Sequence, residues 1–212
     1  MVVSSPSSER NISHGSSHCI SVGTPVGFIS KGADHGSYSE YIAVSAISAI
    51  FPMPEDVSIE DCCSFFVNPY TAVAILDTAV QTLAAEGKQC RSIVHTAAAS
   101  QLGQMLVKLA PKKGIEIINV VRRQEQKELL EGLGAEHVIV TAGDESVWKE
   151  ALKNKIKELD CTVAFDAVAG VSTGNMLAAL PPKGTVFLYG GLAGDVAGIN
   201  PMDLIYRQKK VS

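Results

Sequence analysis

The chain has 212 residues, of which 46% are hydrophobic and 19% charged, with a formal net charge of −4. This is the profile of a globular protein, either one large domain or one domain with part of another. It lacks the basic surplus that a general nucleic-acid binder needs to neutralise phosphates. No apolar run reaches the roughly 18 residues of a membrane span, and the nearest, "TAVAILDTAV", is interrupted by Asp77.

The opening "MVVSSPSSERNISHGSSHCIS" is Ser-rich and barely periodic, so it reads as a strand stub followed by loop. His14, His18 and Cys19 could share a metal, but no fourth ligand lies nearby and a solvated loop is the better reading. No basic segment leads into an apolar core here, so no signal peptide is expected. The five cysteines (Cys19, Cys62, Cys63, Cys90 and Cys161) are odd in number and scattered, without a Cys-x-x-Cys pair. That usage suits a reducing compartment.

"TPVGFIS" and "SYSEYIAV" then read as strands. "FPMPEDVSIEDCCSFF" is expected to turn into a helix starting at Asp56 or Ser58, with acidic residues in its first turn. "NPYTAVAILDTAVQTLAAEG" is a second helix, with Asn68 as cap, Pro69 at the first position and Gly87 as the stop.

From residue 90 the rhythm changes. Strand-like runs at 92–95, 115–121, 137–140, 161–165 and 185–190 alternate with helix-like runs at 101–110, 124–132, 145–158 and 172–180. Nearly unbroken β-branched strands alternating with helices mean a parallel sheet covered on both faces. A sixth strand begins at "KKVS". The fold class is therefore α/β, with a doubly wound parallel sheet of six strands as the template.

"HTAAASQLGQ" follows the first of these strands and opens the first of these helices, the place where such folds hold a phosphate. A G-x-G-x-x-G fingerprint laid on Ala98, Ala99, Ser100, Gln101, Leu102 and Gly103 keeps only its third glycine, the one for close helix–strand packing. Taken alone, the stretch also fits a plain strand–helix turn. About twenty residues on, where the ribose is normally met, stand Arg122 and Arg123. They suit a 2′-phosphate, or are simply a solvated basic pair.

The stretches "GSYSEYIAV", "VNPYTA", "HTAAASQLGQ", "INVVRRQEQ", "LGAEHVI", "FDAVAG" and "GTVFLYGGL" together resemble the medium-chain dehydrogenase/reductase superfamily. Within it they resemble the zinc-independent quinone oxidoreductase and enoyl-thioester reductase branch, from about residue 22 to the end. The resemblance implies a Rossmann-type dinucleotide domain over 68–212, lacking its last strand or strands, preceded by part of a GroES-like β domain over 1–67. It implies NADPH as cofactor and hydride transfer to a quinone or an α,β-unsaturated carbonyl, either an enone or an enoyl thioester.

Carried over by position, Asn68 and Thr71 would lie beside the nicotinamide, and Ser100, Gln101 and Leu102 would cradle the pyrophosphate. Arg122 and Arg123 would meet the 2′-phosphate, Ala167 and Val168 would flank the adenosine side, and Tyr189, Gly190 and Gly191 would pass under the nicotinamide ribose. Asn68 also reads as a helix cap, and Tyr189 as a core aromatic.

Three departures qualify the match. Val140 and Thr141 replace the Asn-Tyr pair usual in the quinone oxidoreductases, no Cys- and His-rich zinc domain is recognisable, and the stretch expected to hold the proton-donating tyrosine is absent. No catalytic residue and no metal ligand is assigned; His95 is read as packing at the end of a buried strand, and His35 is no substitute. The expected partners are a small-molecule substrate and, in the full-length form, a second copy of the chain, with no nucleic acid and no membrane. The expected compartment is the cytoplasm, or alternatively the mitochondrial matrix. A non-catalytic nucleotide-binding or subunit-pairing fragment is the alternative to an enzyme.

Overall fold

The computed structural model describes residues 20–29, 39–44 and 49–212. Most of the Ser-rich opening, with His14, His18 and Cys19, lies outside the described residues, as do His35 and the start of "SYSEYIAV". The chain divides into two compact units, Met1–Val67 and Asn68–Ser212.

In the first unit, β1 (Val26–Ile29) pairs antiparallel with β2 (Ala49–Pro52). Residues 39–44 form no strand. The helix expected within 51–66 is not there either. Phe51 and Pro52 belong to β2, and only a single 3₁₀ turn, Asp61–Ser64, follows. Ser58 Oγ does accept from the Asp61 amide at 3.1 Å, but Glu60, not Ser58, is the cap residue of that turn. Instead of an amphipathic stripe, the segment supplies an aromatic cluster. Phe51, Phe65 and Phe66 sit with ring centroids 5.8–6.1 Å apart. Gly27 admits the Phe65 ring, which would collide with any Cβ there.

The second unit opens with α1 (Val67–Ala84), whose helical turns begin one residue before Asn68. Asn68 is therefore a first-turn residue and not the cap. Pro69 is still tolerated, because first-turn amides have no intrahelical acceptor. Gly87 ends the helix as expected, at φ +71°, with the Lys88 amide reaching back to the Leu83 carbonyl at 2.8 Å.

Strands β3 (Ser92–Thr96), β4 (Glu116–Val121), β5 (His137–Val140), β6 (Val163–Asp166), β7 (Thr185–Leu188) and β8 (Lys210–Val211) then alternate with helices. The helices are α2 (Gln101–Leu109), α3 (Gln124–Gly132), α4 (Glu145–Glu158), α5 (Val171–Ala179) and the short α6 (Pro201–Ile205). All neighbouring strands are parallel, in the order β5-β4-β3-β6-β7-β8. This is the doubly wound arrangement, and its sixth position is filled by the two residues of β8. Period-2 alternation sends Ile93, Ile117 and Phe165 to the face covered by α1 and α2. Val94, Ile118 and Ala164 go to the face covered by α4 and α5. With both faces buried, the strands read as continuous apolar runs.

Lys209 ties β8 down. Its buried Nζ lies 2.9 Å from Asp203 and donates to the carbonyls of Leu177 and Ala178 in the last turn of α5. A cation at a helix C-terminus meets the negative end of the dipole.

Candidate functional site

Sheet order reverses between β3 and β6, and a cleft of about 780 Å³ opens at the carboxyl ends of the strands there. Open α/β sheets bind ligands at such switch points. Its wall includes Thr96, Ser100, Arg122, Thr141, Val168 and Ser172.

The turn after β3 builds one side. Ser100 caps α2, its Oγ accepting from the Gly103 amide at 3.2 Å. That leaves the first two helical amides, Gln101 and Leu102, without intrahelical acceptors, and frees the Ser100 hydroxyl proton to donate. Gly103 is obligatory in this geometry: a Cβ there would lie 2.0 Å from the Ala98 carbonyl oxygen. It has the close-packing role expected for the third fingerprint glycine. The first differs from expectation. Left-handed backbone occurs at Ala97 (φ +50°), not at Ala98, so the turn tightens one residue earlier. Alanine tolerates this conformation at a cost of about 1–2 kcal/mol.

Beyond β4, Gln126 Oε1 accepts from the backbone amides of Arg122 and Arg123 at 3.0 and 3.1 Å. The arginine backbones are fixed and their exposed side chains are left available. Arg122 lies on the cleft wall; Arg123 does not. Thr141, at the position where the quinone oxidoreductases usually carry a tyrosine, also faces the cleft and presents no ring.

Across the switch point, Asp166 organises the floor. Fully buried, it accepts from Thr96 Oγ1 (2.6 Å), Thr173 Oγ1 (2.7 Å), the Val168 amide (3.0 Å) and Ser172 Oγ (3.1 Å). Thr96 Oγ1 in turn accepts from the Ala167 amide at 2.9 Å. This locks the β6–α5 loop, which passes through left-handed backbone at Ala169 and Gly170. The Ala193 amide donates to the Val168 carbonyl, and a Cβ at Gly190 would stand 2.7 Å from the Ala167 oxygen. Ala167, Val168, Tyr189, Gly190 and Gly191 are thus brought together. Asn68 and Thr71, half-buried in the first turns of α1, are not on the cleft wall.

His95 and Tyr189 form a pair behind this floor, with His95 Nε2 2.6 Å from the Tyr189 hydroxyl and the rings stacked at 5.9 Å. Burial holds the imidazole down at about 4, against the opposing pull of the Asp166 charge, and it raises the Tyr189 phenol. His95 therefore stays neutral at physiological pH. Its folded value lies below the unfolded value of 6.5, so the folded form is favoured fully above that pH and loses stability as pH falls toward 4. The expected loss is about 3 kcal/mol. Denaturant unfolding measured across this range should show that slope in the wild type and a flatter one in His95→Asn; parallel slopes would exclude His95 as the source.

The Asp166 network was not anticipated from the sequence. The signal available was an Asp ending an apolar strand, followed by the Ser172-Thr173 pair at a helix start. No Cys- or His-based zinc set surrounds the cleft among the described residues. The His/Cys/Asp/Glu group that does have ligand spacing among them, Glu116, Glu136 and His137, lies at the other end of the strands.

Comparison with known proteins places this geometry. The family model described as zinc-binding dehydrogenase matches residues 102–212, just over half of the chain. Mitochondrial enoyl-[acyl-carrier-protein] reductase from Homo sapiens is 30% identical over 174 residues, covering 80% of this chain and 44% of that protein. The Xenopus tropicalis enzyme of the same name is also 30% identical, with 80% and 47% covered. Among solved structures, a candidate NADPH:quinone reductase from Mesorhizobium loti matches with TM-score 0.67 and 31% identity, over 77% of this chain and 45% of that one. The Escherichia coli quinone oxidoreductase complexed with NADPH has TM-score 0.63 and 21% identity, over 77% and 48%, and shares the fold. The chain thus spans less than half the length of each of these relatives. A family model matched from the start of α2 to the end of the chain, joined to these relatives, shows that the chain belongs to the zinc-binding dehydrogenase family of the medium-chain dehydrogenase/reductase superfamily, on its quinone and enoyl reductase side.

Proposed function

We propose that this chain carries the NADPH-binding part of a reductase that passes hydride to a quinone or an α,β-unsaturated carbonyl. On this reading residues 68–212 are the dinucleotide domain and 1–67 part of a GroES-like substrate domain. The observation that carries it is the Ser100-capped start of α2 facing the same cleft as Arg122. The amides of Gln101 and Leu102 with the Ser100 hydroxyl would hold the pyrophosphate, and Arg122 with Arg123 the 2′-phosphate. Ala167 and Val168 would flank the adenosine side, while Tyr189, Gly190 and Gly191 would run under the nicotinamide ribose. Asn68 and Thr71 remain candidates for the nicotinamide end, on the resemblance alone. When bound, the nicotinamide supplies the hydride; the protein supplies position and electrostatics. The described residues around the cleft do not fit a catalytic zinc, and no step is assigned to one.

The names of the relatives support a reductase of enoyl thioesters or quinones, and the word mitochondrial in several of them supports the matrix over the cytoplasm. No described helix is long and apolar enough to cross a membrane. Pairing of two copies through the sheet edge is supported by exposed Ile205 and Tyr206 beside the short β8. A charged hydrogen bond contributes about 1.5–3 kcal/mol before solvent screening. NADPH should therefore bind at least roughly tenfold more tightly than NADH. Calorimetric titration of both cofactors in low salt should show this preference in the wild type and its loss in Arg122→Ala/Arg123→Ala. Equal binding by the wild type, or a preference that survives the double substitution, would remove these arginines from the site.

A further inference from the structure

We propose a second site, for a divalent cation of the zinc and cobalt class, at the rim of the sheet opposite the cleft. Glu116 begins β4, His137 begins β5 and Glu136 immediately precedes it. The register pairs Ile118 with His137, so the two strand starts are adjacent. One ligand atom from each of Glu116, Glu136 and His137 lies within 4.8 Å of the others. His137 Nε2 is already 2.8 Å from Glu116 Oε2, so these two side chains converge without rearrangement.

A second observation points the same way. Glu116, Glu136 and His137 line a recess of about 140 Å³, and so does Asn119. Asn119 is 1% exposed; its Nδ2 donates to the carbonyls of Ile117 and His137, and its Oδ1 has no hydrogen-bond partner. A buried acceptor without a donor is costly, and the recess is large enough to hold an ion with its water. Two carboxylates balance a dication, and imidazole with carboxylates suits zinc or cobalt better than the all-oxygen shells of calcium or magnesium. Three protein ligands leave a position for water, for which Asn119 on the recess wall would be the outer hydrogen-bonding group. Such an outer hydrogen bond typically orients and strengthens a metal site. The cation would sit between His137 Nε2 and Glu116, binding the imidazole as its Nδ1–H tautomer so that Nε2 offers its lone pair.

The site is remote from the cleft, so it is independent of the proposed cofactor. Its role would be to join the starts of β4 and β5. The test is a titration of Co²⁺ into the purified full chain, read by visible absorption and thermal unfolding. One equivalent should bind with the spectrum of nitrogen and oxygen ligation and without thiolate charge transfer. At about a hundred times Kd, the melting temperature should rise by roughly 5–10 °C. Glu136→Gln, on the surface, should weaken binding at least tenfold while leaving the metal-free melting temperature unchanged. His137→Ala should abolish the nitrogen signature. NADPH affinity should be the same with and without metal. The proposal is overturned if no binding occurs at millimolar Co²⁺, if binding survives both variants unchanged, or if thiolate bands show that the cysteines hold the metal.

Discussion

Gly103→Ala should cost the protein its proposed dinucleotide site before it costs the fold. The added Cβ would sit 2.0 Å from the Ala98 oxygen and 2.5 Å from its carbonyl carbon, both backbone atoms that no rotamer can move aside. Relief requires α2 to slide away from β3, and that shift carries off the Ser100 cap and the amides of Gln101 and Leu102. Overpacking of this kind destabilises by about 1–3 kcal/mol. If these amides hold the pyrophosphate as proposed, misplacing them should weaken NADPH binding by roughly a hundredfold, about 2.7 kcal/mol. Calorimetric titration and thermal unfolding of the variant separate the two effects. Wild-type affinity in Gly103→Ala would show that the start of α2 does not meet the cofactor.

Asp166→Ala should be the most destabilising single change in the cleft. The substitution orphans Thr96 Oγ1, Thr173 Oγ1 and the Val168 amide together, with Ser172 Oγ at the margin. Each buried donor left unpaired costs about 1–3 kcal/mol. Allowing for partial rearrangement and water entry, the total should reach about 4 kcal/mol. For a domain of this size that is a fall in melting temperature of roughly 10 °C. Asp166→Asn keeps one acceptor oxygen and should lose about half as much. A melting temperature within a degree or two of wild type for Asp166→Ala would mean that the network is incidental to stability.

The two predictions draw on different levels of legibility. The role of Gly103 was readable because a fingerprint fixes its position relative to a strand and a helix, and all three are contiguous in sequence. The strands of the sheet were readable for the same reason, since burial on both faces leaves an unbroken apolar run such as Ile117-Ile118. The Asp166 network joins Thr96 to a residue 70 positions away, and no local pattern encodes that meeting. The left-handed residue of the turn, Ala97, was not legible because alanine gives no sign of left-handed backbone, as a glycine would have done. Within 51–66, acidic residues and Ser58 signalled a helix start, but the segment instead packs Phe51, Phe65 and Phe66 on one another. Asn68 failed as a cap for a smaller reason: α1 simply starts one residue sooner.

The chain has a single tryptophan, Trp148, which packs against Leu152 and Met176 in the core and also lines the cleft. Its indole is therefore a built-in optical probe that needs no label. Reduced nicotinamide absorbs where indole emits, so a bound cofactor would quench this one emitter by energy transfer, with no other tryptophan to dilute the signal. Unfolding would shift the same emission to the red as the ring meets water. Occupancy of the cleft and integrity of the α4 face can thus be followed in one cuvette, on the unmodified protein.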